Sequence, residues 1–89
     1  MAKAEISWKR RAPDGTRLQV YAHLVGGEWR FYIRSRRYER WMPVKDPPLE
    51  DWLALLDAVR RLVPRRRYQP EDEAHLRQRI RERFPEVDL

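Results

Sequence analysis

Lys9, Arg11, Arg17, Gln19, Tyr21, His23, Arg30, Tyr32 and Arg34 occupy alternate positions in three strand-like runs. Alternation places such residues on one face of a sheet. Their chemistry is that of a gripping surface. Guanidinium groups hold phosphates or read guanine edges in bidentate fashion, and aromatic rings stack on bases. Tyrosine carries its own polar tip and so sits comfortably at a wet surface. The set contains no carboxylate, and the nearest one expected is Glu28, at a turn. An ordinary solvated face would pair its arginines with Asp or Glu. Three readings stay open for this face: nucleic acid or another polyanion, a plain solvated surface, and a protein interface. Ser35-Arg36-Arg37 adds cations in a predicted loop, a short basic run that suits phosphate contacts. The candidate nucleic-acid contacts are therefore Lys9, Arg11, Arg17, Tyr21, Arg30, Tyr32, Arg34, Arg36 and Arg37.

The elements that must position these residues are set by two turns. Gly26-Gly27 joins two alternating runs and is a strong hairpin signal. Folding around it pairs Leu24 with Trp29, Ala22 with Phe31 and Val20 with Ile33 on one face. On the other face His23 meets Arg30, Tyr21 meets Tyr32 and Gln19 meets Arg34. Pro13-Asp14-Gly15 is a three-residue turn with glycine where a left-handed residue is wanted. It pairs Trp8 with Val20 and Ile6 with Ala22, so strand one (Ile6 to Arg11) shares the apolar face. Two independent turns agree on one register. A fourth strand is expected from Arg37 to Val44. There Tyr38, Met42 and Val44 share one face and Trp41 sits on the other, so a bulge or an edge position is required.

Two helices follow. Asp46-Pro47-Pro48 opens the first, over 47–63, with Asp46 as cap and Glu50 and Asp51 at the positive end. Leu49, Trp52, Leu53, Leu56, Val59 and Val63 form its apolar stripe. Pro64 stops it. The second helix, over 70–84, opens at Pro70, carries the narrow stripe Leu76, Ile80 and Phe84, and ends at Pro85. The expected architecture is α+β: an antiparallel three- to four-stranded meander sheet covered on one face by two C-terminal helices, in the order ββββαα.

The chain has 89 residues, and one domain, 1–89, is expected. It carries 20 Lys and Arg against 14 Asp and Glu. The excess is uneven: residues 1–47 hold eleven cations and five anions, and residues 48–89 hold nine of each. A localised basic surface points to an anionic partner. No run approaches the length of a membrane span, and Met1 to Arg11 lacks the apolar core of a secretory signal. A cytoplasmic location is the simplest expectation. Cysteine and asparagine are absent, threonine occurs once, and arginine outnumbers lysine. That profile is thermophile-like, although a GC-rich genome also favours arginine.

Catalytic chemistry finds little footing. Without cysteine there is no thiolate nucleophile and no Cys-based zinc site. His23 and His75 fall in different elements. Glu71-Asp72-Glu73 stands where a helix N-terminus attracts acids. Ser7 and Ser35 have no nucleophile motif around them, and no glycine loop cradles phosphate. No enzyme activity, metal or cofactor is expected. The link Pro64 to Gln69 is longer than a helix-turn-helix allows, and Arg77, Arg79, Arg81 and Arg83 frame an apolar stripe. Arg65-Arg66-Arg67 suits a helix C-terminus.

Over residues 6–63 the sheet-then-helix order resembles the DNA-binding domains of some plant transcription factors and phage-type integrases. Those domains lay a sheet face into the major groove, so the resemblance implies DNA as ligand. The second helix departs from that minimal module. The leading expectation is a small non-catalytic nucleic-acid-binding protein, DNA or RNA. The alternative is a protein-interaction module or small regulator, homodimeric through pairing of an uncovered fourth strand; a membrane partner is not expected.

Overall fold

The computed structural model describes residues 5–36 and 39–89. The elements are β1 (Glu5–Arg11), β2 (Arg17–Val25), β3 (Glu28–Arg34), β4 (Met42–Val44), α1 (Leu49–Leu62) and α2 (Pro70–Arg83). The order is ββββαα, and the strands form one antiparallel meander, β1-β2-β3-β4. The chain divides into two compact units, Met1–Pro47 with the sheet and Pro48–Leu89 with the helices.

In the sheet unit both turns set the register as their residues require. Leu24 pairs with Trp29, Ala22 with Phe31 and Val20 with Ile33. Trp8 pairs with Val20 and Ile6 with Ala22. At the first turn Ala12 N–H donates to Thr16 C=O at 2.8 Å, and Gly15 takes a φ of +91°. Asp14 accepts the Thr16 N–H at 3.0 Å. That bond holds the Asp14 carboxyl below its ordinary pKa. At the second turn Gly26 and Gly27 both have positive φ, which glycine adopts without a Cβ penalty. Ile6, Val20, Ala22 and Phe31 are buried, and Trp8 meets Phe31 edge-on at 6.3 Å.

The fourth strand is shorter than expected, Met42–Val44 in place of Arg37 to Val44. Arg37 and Tyr38 lie outside the described residues. Pro43 stands in the middle of the pairing, opposite Tyr32, and has no N–H to extend a ladder. Met42 and Val44 pair with Ile33 and Phe31 on the apolar parity, yet Met42 is 60% exposed at this edge.

In the helical unit α1 begins at Leu49 with Pro48 as N-cap, so Asp46 is not the cap. A residue before proline is pushed out of the α region, so Pro47 must stay extended and the helix starts later. The buried apolar stripe is Trp52, Leu55, Leu56 and Val59, with Asp51 buried beside it. Leu53, expected inside, is exposed, and Leu55 takes its place. In α2 Leu76 and Ile80 are fully buried, and Phe84 is the C-cap before Pro85. Asp72 accepts the Gln69 N–H at 2.9 Å, which assigns one of the first-turn acids to capping. Glu73 accepts both Nε and a terminal nitrogen of Arg77, at 3.0 and 2.9 Å. Arg60 of α1 also reaches Glu73, at 3.8 Å.

The link between the helices is anchored. Tyr68 is buried, and Arg66 and Arg67 donate to the carbonyls of Val63 and Leu62 at 2.9 and 3.1 Å. This pair of bonds is the Schellman closure of α1, with Arg66 in the left-handed position at φ 61°. Glycine is the residue that fits there without strain. Arg66→Gly is expected to raise stability by about 0.5–1 kcal/mol, read as a higher urea midpoint. A lower midpoint would mean that the Arg66 side chain contributes more than its backbone strain costs.

Candidate nucleic-acid interface

The face opposite Ile6, Val20 and Phe31 is built in rows by the strand register. One row holds Lys9, Gln19 and Arg34; the next holds Ser7, Tyr21, Tyr32 and Pro43; the third holds Glu5, His23 and Arg30. Arg11 and Arg17 face one another at the end of the β1–β2 ladder. The alternation of each strand and the two glycine turns suffice to bring these side chains together.

The centre of the face is aromatic. Tyr21 and Tyr32 stack at 5.1 Å with planes 24° apart. His23 meets both rings edge-on, at 5.4 and 6.0 Å. The Tyr21 hydroxyl lies 3.3 Å from His23 Nδ1. Trp41, just before β4, packs against Tyr21 at 5.1 Å with planes 55° apart. The Arg34 guanidinium lies 4.2 Å over the Trp41 ring, and Arg34 Nε donates to Gln19 Oε1 at 2.7 Å. The guanidinium is thus held flat by a ring and by a hydrogen bond, which lowers the entropy lost when it grips a ligand. All of these side chains are half-buried.

Burial of Tyr21, then the nearby Glu5 charge and then Tyr32, raise its pKa above the ordinary tyrosine value. The phenol therefore stays a neutral hydrogen-bond donor at physiological pH.

The expected cations flank this centre without forming one patch. Lys9, Arg11 and Arg17 gather at the Pro13–Gly15 end, where they line a shallow depression with Gln19. Arg11 donates to the Gly15 carbonyl at 3.1 Å, so it curls over the turn. Arg30 lies in the row beyond Tyr32, opposite His23. Arg36 is exposed in the β3–β4 connection, beyond the end of β3. Arg37 lies outside the described residues. Glu39 closes that connection by accepting from the Ser35 hydroxyl at 2.6 Å and from the Ser35 and Arg36 amides. These bonds, the hydroxyl first, hold its carboxyl below the ordinary range.

Besides Ser7 and Pro43, the face holds Glu5 and Trp41, which the expected set lacks. β1 begins one residue earlier than its alternation suggests, which puts Glu5 in the row with His23 and Arg30. The face is therefore not free of carboxylates. Continuing the parity of Lys9 and Ser7 by one step finds it. Trp41, expected on the opposite face from Met42, sits there as a central member of the cluster. Elsewhere, His75 is exposed on α2. Among the described residues no group of three or more His, Asp or Glu is placed to hold a metal ion. Among the same residues no helix is long and apolar enough to cross a membrane. Compared with family models, with curated proteins and with solved structures, the chain matches none.

Proposed function

We propose that this chain is a small, non-catalytic nucleic-acid-binding protein that engages its ligand with the basic, tyrosine-containing face of its sheet. One observation carries the reading: Tyr21, Tyr32 and Trp41 form a contiguous half-buried ring cluster with the Arg34 guanidinium laid over Trp41 at 4.2 Å. Rings supply stacking surface, and Arg34 supplies a pre-oriented cation. Lys9, Arg11 and Arg17 on one side and Arg30 on the other extend positive charge along the path of a phosphate backbone. The rival reading, edge-to-edge pairing of two copies, is not favoured by the edges. β4 has three residues around Pro43, and β1 carries Lys9, Arg10 and Arg11, charges that discourage strand pairing.

The test is fluorescence anisotropy with labelled duplex DNA, single-stranded DNA and RNA across a salt series. Affinity should fall steeply with salt, as counterions are released. Replacing Arg30 and Arg34 together with alanine should flatten the log–log slope by about 0.7–0.9 for each phosphate that is no longer neutralised. Circular dichroism should show the sheet intact, because Arg30 is exposed and Arg34 bonds only at the surface layer. Unchanged affinity in the double variant would sink the sheet-face reading.

A further inference from the structure

Beside the ring cluster lies a cleft of about 360 Å3, lined by Glu5, Ile6, Ser7, Tyr21 and Trp41. Its size is at the low end for ligand clefts, ~300–1,000 Å3. Its walls combine two aromatic rings with one exposed carboxylate. We infer that this cleft is a base subsite for guanine in a single strand, with Tyr21 and Trp41 as the stacking wall and Glu5 as the acceptor of the base edge. The inference rests on the nucleic-acid reading above and narrows it.

The chemistry of the edge selects the base. A carboxylate can only accept hydrogen bonds. The pairing edge of guanine offers two adjacent donors, N1–H and the N2 amino group, which match the two carboxylate oxygens. Adenine and cytosine each set an amino donor beside a ring-nitrogen acceptor, which the carboxylate repels. Uracil and thymine flank one N–H with two carbonyls. Only guanine satisfies both oxygens of Glu5 at once. That edge is occupied in a duplex, so the subsite requires an unpaired base.

The surrounding charge fits the same strand. Glu5 would repel a phosphate, but the phosphate-gripping residues of β1 lie further along. Lys9 is four residues on, about 13 Å at the rise of a strand. A chain running along β1 therefore presents a base to Glu5 and its backbone to Lys9, Arg11 and Arg17. Glu5 lines the same cleft as Tyr21 and Trp41, beside the stacking wall.

The experiment uses labelled single strands of about eight nucleotides. Each is all thymidine apart from one central guanine, adenine or cytosine; the all-thymidine strand and a guanine-containing duplex complete the series. The guanine strand should bind about tenfold or more tighter than the others. Glu5→Gln, which replaces one acceptor oxygen with a donor amide, should bring that preference to within about twofold. Glu5 is exposed at the start of β1, so the variant should fold. Equal affinity for all strands, or a guanine preference that survives in Glu5→Gln, overturns the guanine subsite and leaves the nucleic-acid reading standing. Binding to none of the strands and not to the duplex overturns both.

Discussion

Trp41→Ala is expected to weaken binding of single-stranded DNA or RNA by about 1–3 kcal/mol, roughly five- to 150-fold, the range for losing one base–aromatic stack. Two losses combine in this variant. The indole that forms one wall of the Glu5 cleft disappears. The ring under the Arg34 guanidinium, 4.2 Å away, disappears too, so Arg34 regains rotamer freedom and must lose it again on binding. Met42→Ala is the matched control. Met42 is the next residue, is 60% exposed, and pairs on the parity of Ile33, away from the tyrosines. Its removal should leave affinity within about twofold. Anisotropy titrations on both variants at one salt concentration decide the matter. If Trp41→Ala and Met42→Ala behave alike, the rings of this face only pack on one another and do not meet a ligand. Trp41→Phe should retain part of the affinity, because it keeps a π face while losing indole area.

The parts of this fold that are legible in the sequence are those fixed by short-range geometry. A two-residue glycine turn sets the sum of paired residue numbers, and alternation then assigns every side chain of β2 and β3 to a face. Tyr21 opposite Tyr32 and Gln19 opposite Arg34 follow from Gly26-Gly27 alone. The Asp14 turn does the same for β1. What escapes depends on boundaries and on tertiary choice. Glu5 joins the face because β1 starts one residue earlier; parity assigns its side once that start is known, but no turn residue marks the start. The β3–β4 connection has no glycine to announce its turn in the sequence, although Glu39 N–H donates to Arg36 C=O at 3.0 Å, and Pro43 removes a ladder donor from a β4 of three residues. The packing of Trp41 on Tyr21 and under Arg34 is a contact between residues distant in sequence, which parity permits but does not determine. The cap of α1 falls at Pro48 rather than Asp46 for a backbone reason: Pro48 bars Pro47 from the helix, and the prolines displace the start beyond the reach of Asp46.

Leu55→Ala is expected to cost about 2–5 kcal/mol of stability, the range for truncating a fully buried leucine, whereas Leu53→Ala should cost under about 1 kcal/mol. The two positions separate two readings of α1. Leu53, Leu55 and Leu56 lie so close together that apolar spacing supports more than one stripe. One runs through Leu49, Trp52, Leu53, Leu56, Val59 and Val63; the other runs through Trp52, Leu55, Leu56 and Val59. The structure takes the second, with Leu55 wholly buried and Leu53 37% exposed. The second stripe follows i, i+3, i+4, i+7 without interruption and leaves Asp57 and Arg61 outside it, paired with each other at 3.3 Å. Small domains hold only ~5–15 kcal/mol in total, so Leu55→Ala removes a large share. Urea denaturation should show its midpoint falling by about 1–2 M while Leu53→Ala stays close to the parent. The reverse order would rotate α1 about its axis, and the burial described for the helical unit would then be wrong. Equal losses would mean that the helix buries a wider face than Trp52, Leu55, Leu56 and Val59. Because Leu55 lies in the helical unit and the ring cluster in the sheet unit, binding measured well below the melting transition should survive the Leu55 change, and affinity and stability can be tested independently.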